Sequence, residues 1–136
     1  MRKYYLFVIR KEAYQYYCKN TKKLFQTLKY LHQIPKEEFE TGYSLYHQIC
    51  EPFDVERLQY YFEDKYQLTL KNGRYEVENT YVSIRPSRVI MKTNVNLPGV
   101  FIDFKCYNRL IFVVDFEMKD YFFLCQDYNN PTKPYI

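Results

Sequence analysis

Residues Lys3–Arg10 read K-Y-Y-L-F-V-I-R, six apolar or aromatic residues in a row closed at both ends by charge. A run this short, rich in aromatic and β-branched residues, is a strand rather than a helix. Its lack of alternation means burial on both faces, the position of a central strand in a sheet. Leu110–Phe116 (L-I-F-V-V-D-F) is a second run of the same kind near the other end of the chain. With 136 residues, 47% hydrophobic and 26% charged, the chain suits one domain able to bury a core without disulfides or metal. Residues 1–126 are assigned to that domain and 127–136, with two Pro and two Asn, to an irregular tail.

Between the two runs the period changes. Lys11–Lys19 has neither Gly nor Pro and reads as a short aromatic helix. Asn20-Thr21 breaks it and caps a second helix over Lys22–Gln33, with Leu24, Leu28 and Leu31 at helical spacing. Pro35 opens a third, with Glu37 and Glu38 in its first turn. Phe39, Tyr43, Tyr46 and Cys50 form one stripe on it, Leu45, Gln48 and Ile49 lie on the neighbouring face, and Pro52 ends it. Asp54 caps a fourth helix with Val55, Leu58 and Phe62 inward. Strands follow. Asn72-Gly73 predicts a hairpin joining Gln67–Leu70 to Arg74–Glu78, and Arg85-Pro86-Ser87 a second joining Thr80–Ile84 to Arg88–Lys92. Leu97–Tyr107 fits either a strand or a short helix with Phe101, Phe104 and Cys106 inward; the helix is favoured. Glu117–Lys119 turns the last long strand back into Tyr121–Leu124. The order predicts an α+β fold, with helices gathered against a mixed or antiparallel sheet.

No stretch reaches the roughly 20 apolar residues of a membrane span. Met1-Arg2-Lys3 before Tyr4–Ile9 imitates a signal peptide, but the apolar part is too short and is followed by Arg10, Lys11 and Glu12. The reading is a cytoplasmic chain whose Cys18, Cys50, Cys106 and Cys125 are free, buried thiols. His47 and Cys50 have the spacing of two metal ligands, yet no second pair completes a site. Neither His32 nor His47 sits in a nucleophile or base motif, and Gly42, Gly73 and Gly99 are too far apart to cradle phosphate. Asp115 interrupts an apolar strand; turned inward it needs an Arg or a backbone cap, and the reading favours a strand end reaching solvent or the turn. No cofactor, metal or catalytic set is assigned, and the chain is read as a non-enzyme.

Charge is segregated. Residues 1–36 carry nine Lys/Arg against one acid, residues 37–70 two against eight. Tyr14, Tyr16 and Tyr17 beside Lys11, Lys19, Lys22 and Lys23 suit a single-stranded nucleic-acid surface, and suit equally a tyrosine-rich protein contact.

The run Y-Y-L-F-V-I-R-K-E-A-Y-Q-Y-Y resembles the N-terminus of the sporulation inhibitor of replication family (SirA). That family begins with paired aromatics, an apolar strand, a Lys/Arg-Glu step and an aromatic first helix. Leu24-Phe25 and Tyr30 on the next helix, Q-I-C-E-P-F at Gln48–Phe53, and Phe112–Phe116 followed by E-M-K-D-Y are similar to its later segments in order. The resemblance implies a small cytoplasmic protein of spore-forming, low-GC Gram-positive bacteria. It implies that the chain binds the N-terminal domain of the replication initiator DnaA and blocks new rounds of replication, by contact rather than catalysis, with no direct role for nucleic acid or membrane. It places the contact on the first helix and the end of the third: Tyr17 matches an aromatic contact residue and Ile49 an apolar one, with Leu45 and Gln48 beside it. Two positions depart from the pattern. Ala13 stands where the family has an aromatic, with Tyr14 displaced by one residue, about 100° around a helix. Cys125-Gln126 replaces an Asn-Pro. The expected protein-binding set is therefore Ala13, Tyr14, Tyr17, Leu45, Gln48 and Ile49.

Overall fold

The first apolar run forms strand β1 (Arg2–Ile9), with Tyr4 to Ile9 all buried. A computed structural model of the chain describes residues 1–96 and 98–125; the expected domain boundary at 126 and the tail 127–136 lie outside the described residues. After β1 come helices α1 (Lys11–Tyr17) and α2 (Thr21–Gln33), a 3-10 turn (Lys36–Glu38), α3 (Phe39–Ile49), strand β2 (Cys50–Glu51) and α4 (Val55–Tyr66). Strands β3 (Tyr75–Val77), β4 (Thr80–Ile84) and β5 (Val89–Thr93), helix α5 (Phe101–Tyr107), and strands β6 (Ile111–Asp115) and β7 (Asp120–Phe123) complete the described residues.

The strands form one antiparallel sheet in the order β3-β4-β5-β1-β6-β7. β1 is central, as its unbroken apolar run requires: β5 pairs along Arg2–Leu6 on one edge and β6 along Tyr5–Val8 on the other. β2 pairs with Val8 and Ile9, beyond the last β5 pair at Leu6. Alternate β1 side chains enter two separate cores. Tyr4, Leu6 and Val8 pack with Leu58 and Phe62 of α4 and Phe101 and Phe104 of α5. Tyr5, Phe7 and Ile9 pack with Ala13 and Tyr14 of α1, Leu24, Phe25 and Leu28 of α2, and Ile49 of α3. The sheet is thus sandwiched between α1–α3 and α4–α5, an α+β domain. Each fully buried large side chain in these layers contributes roughly 1.5–3 kcal/mol of transfer free energy. The lysines of α1 and α2 lie on one side and Glu56, Glu63 and Asp64 of α4 on the other, while Glu37, Glu38 and Glu40 of the 3-10 turn and α3 share the side of the lysines.

The caps are where the residue types place them. Asn20 Oδ1 accepts from the Lys23 N–H at 3.3 Å, and Asp54 Oδ1 from the Arg57 N–H at 3.2 Å. Four expectations need correction. The third helix stops at Ile49; Cys50 turns extended and joins β1, where it satisfies backbone groups that β5 leaves unpaired. The Asn72-Gly73 hairpin shrinks to a single Lys71–Arg74 bridge. The real hairpin joins β3 to β4 through Glu78 and Asn79, both at positive φ (45° and 64°), the pattern of a two-residue type I′ turn. Cys106, expected inward, is exposed on the outer face of α5; of the four cysteines only Cys50 is buried. Asp115 does stand at its strand end, yet it is buried. Its Oδ1 caps the turn by accepting from the Met118 N–H at 3.0 Å, and its Oδ2 accepts from Arg2 Nε at 3.1 Å.

Candidate functional surface on the first and third helices

The start of α1 is tied to the end of α3 by Arg10. Its backbone N–H donates to the Ile49 carbonyl at 2.8 Å and its Nε to the His47 carbonyl at 2.6 Å. The His47 carbonyl belongs to the last turn of a helix, where carbonyls lack intrahelical partners and a cation is favoured. This clamp holds the two helices together above Ile9 and Cys50.

The six expected contact residues divide into a floor and a surface. Ala13, Tyr14 and Ile49 are the floor. Ala13 and Tyr14 are 8% exposed and Ile49 4%, and the Tyr14 ring meets Phe123 edge-on at 5.0 Å. Tyr17 and Leu45 are half-buried at the margin of the same core, and Gln48 is exposed. Positions 13 and 14 thus both face the core, and the Tyr14 ring is directed inward.

The residue that sequence reasoning left out of this set is Tyr16, 64% exposed. Its ring lies edge-on to Tyr17 at 4.8 Å, and its hydroxyl accepts from Lys23 Nζ at 3.0 Å. That hydrogen bond holds the Lys23 ammonium above its ordinary value. The usable surface is an amphipathic tyrosine pair on α1 with lysines of α2 at its rim and Leu45 and Gln48 of α3 on the adjoining helix. Such a surface combines rigid aromatic area with a charged periphery, the composition of a protein contact.

Two other groups of reactive side chains resolve differently. His47 and Cys50 do not form a ligand pair. His47 packs between the rings of Tyr43 and Tyr46 at 4.3 and 5.0 Å, while Cys50 lies in the core. Burial pushes the Cys50 thiol far up, so it is not a nucleophile near neutral pH. Among the described residues no group of three or more His, Cys, Asp or Glu could hold a metal ion, and no helix is long and apolar enough to cross a membrane. On the other side of the sheet Asp103 is buried beneath α4. It accepts from Tyr61 Oη and Lys65 Nζ, each at 2.5 Å, and from Tyr66 Oη. Burial alone would raise this carboxyl; the donors, Lys65 first, hold it below the ordinary carboxylate value. All three donors converge on one carboxylate, which makes this cluster a tie between α4 and α5.

No protein-family model matches the chain, and no curated protein matches it.

Proposed function

We propose that this chain is a protein-binding inhibitor of replication initiation, linked to sporulation, which docks on the N-terminal domain of the initiator DnaA through Tyr16, Tyr17, Leu45 and Gln48. The partner is taken from the sequence resemblance. The surface is taken from the pair of exposed Tyr16 and half-buried Tyr17, standing on a floor of Ala13, Tyr14 and Ile49. Aromatic residues fixed on a packed helix lose little freedom on binding, so their contact area is converted to affinity at low entropic cost. The exposed Lys19, Lys22 and Lys23 beside them would speed encounter with an acidic partner.

The test is calorimetric titration of the chain with the purified N-terminal DnaA domain of the same organism at two salt concentrations. One-to-one binding is expected. Tyr16→Ala and Tyr17→Ala should each weaken it by about 2 kcal/mol, roughly thirtyfold, with unchanged circular dichroism. Wild-type affinity in both variants removes the surface. Binding to a single-stranded oligonucleotide in place of the domain, falling steeply with salt, replaces the reading with the nucleic-acid alternative.

A further inference from the structure

On the sheet side that carries α1–α3, the chain encloses a half-open cleft of about 300 Å³ between α2, the Ile34–Lys36 connection, α3 and the turn from β4 to β5. Its walls are apolar: Phe7 from β1, Leu28 and Leu31 from α2, and Phe39 and Tyr43 from α3. Gly42 of α3 keeps one wall bare. A Cβ there would come within 3.2 Å of Ile34 Cδ1. The volume lies at the lower end of small-molecule sites.

The polar end of the cleft is cationic. Arg88 and Lys36 line it, and no carboxylate does. His32 also lines it; burial, with Arg88 and Lys3 nearby, pulls its imidazole below the ordinary value, so it stays neutral at physiological pH. The Tyr46 hydroxyl is already committed, donating to the Ser87 carbonyl at 2.9 Å. Arg88 is not. Its Nε is buried and has no hydrogen-bond partner among the described residues, and its guanidinium carbon lies 5.5 Å from the centre of the Tyr5 ring. The contrast with the other charged groups packed into this protein is direct. Arg2 meets Asp115 and Asp120, and Lys65 meets Asp103. The Nε lies covered while Arg88 as a whole is half-buried, so a ligand in the cleft would meet the terminal guanidinium nitrogens, which no carboxylate in the cleft lining faces.

We propose that this cleft binds a compact aromatic monocarboxylate, its ring among Leu31, Phe39 and Tyr43 and its carboxylate paired with the Arg88 guanidinium. A carboxylate suits the planar donor fork of Arg. A phosphate dianion would bring more charge and more acceptors than Arg88 and Lys36 can satisfy in a mostly apolar site. The ring preference follows from the walls: Phe39 and Tyr43 lie 6.0 Å apart at 34°, 67% and 59% exposed for side chains of this size.

The experiment titrates the isotope-labelled chain with 3-phenylpropionate and, separately, with its neutral isostere 3-phenylpropanamide, following amide chemical shifts. Shifts are expected at Leu31, Gly42, Ser87 and Arg88, with the carboxylate bound at least about tenfold tighter than the amide. Arg88→Gln should abolish that preference. Arg85→Gln removes the same charge from the same turn without touching the cleft, and should preserve it. Arg88→Lys retains part of the preference and keeps the test open should the Gln variant prove unstable. Equal affinity for the two probes, a preference that survives Arg88→Gln, or an absence of shifts around the cleft overturns the proposal.

Discussion

Ile49→Arg is the substitution that the resemblance alone would choose to disable the partner surface, and the structure predicts that it acts elsewhere. Ile49 is 4% exposed and packs in the core beneath α1 with Ile9, Ala13 and Cys50. Removing a buried Ile side chain costs about 2–5 kcal/mol. The arginine stem could carry its charge toward solvent past the exposed Gln48, which avoids the full cost of burying an ion but forces the end of α3 away from β1. It would also set a second cation beside Arg10, whose Nε already holds the His47 carbonyl. A loss of about 3 kcal/mol or more is expected, a large part of a domain's usual 5–15 kcal/mol. Urea unfolding at 25 °C, followed by far-ultraviolet circular dichroism, measures it directly. The variant should show a strongly lowered midpoint, and its loss of partner binding should track the fraction unfolded. Tyr17→Ala, at a half-buried margin position, should lose about 1 kcal/mol of stability or less and still lose binding. An Ile49→Arg protein that unfolds at the wild-type midpoint but no longer binds would refute the reasoning, because it would mean that Ile49 itself faces the partner.

Three further outcomes are expected. Asp103→Ala should cost about 2 kcal/mol rather than the 3–5 kcal/mol of a fully stranded ion pair, because the Lys65 side chain is 46% exposed and can turn to water. The Asp103 carboxyl is held below its ordinary value, so its contribution is present above about pH 4 and fades as pH falls through the folded-state value; chemical denaturation of wild type and Asp103→Asn should therefore converge on acidification. Replacing Glu78-Asn79 by Asn-Gly relieves two left-handed positions (φ 45° and 64°) and should stabilise by about 0.5–1 kcal/mol in the same assay. In the native protein a thiol reagent should label exposed Cys106 rapidly and Cys50, read in a background with Cys18, Cys106 and Cys125 replaced by Ser, at least roughly a thousandfold more slowly, at the rate of opening.

Much of the fold was legible because its strongest signals are local. The unbroken apolar run of β1 has only one comfortable place, in the middle of a sheet covered on both faces, and the caps Asn20 and Asp54 bond as their types require. What sequence reasoning missed was decided by distant pairing. Nothing near Cys50 says that β5 ends its pairing at Leu6 and leaves Val8 and Ile9 for another strand; Pro52 looked like the helix stop because it is the nearest local one. Asn72-Gly73 was the stronger turn signal, and Leu68 and Leu70 before it alternate as regularly as Tyr75 and Val77 after it; the structure nonetheless pairs Tyr75 with Val82 and Val77 with Thr80 across Glu78-Asn79.

The surface is less legible than the core for a related reason. A helix pattern gives the angle between side chains but not which angle faces the sheet when aromatics occur all round, as they do at Tyr14, Tyr16 and Tyr17. Here the sheet decides: Phe123 receives Tyr14, which turns Tyr16 outward to Lys23 and leaves Tyr17 at the margin. Arg88 had no signal at all in the sequence, since its meaning lies in what does not face it. One consequence separates the two surfaces experimentally. Tyr43 and Tyr46 line the cleft while Leu45 packs against the core shared with α1 and Gln48 is exposed outside the cleft lining, so α3 carries both surfaces on different sides. Arg88→Gln should then leave partner binding intact, and Tyr16→Ala should leave the carboxylate preference intact. If either substitution abolished both, the cleft and the tyrosine pair would be one extended interface rather than two.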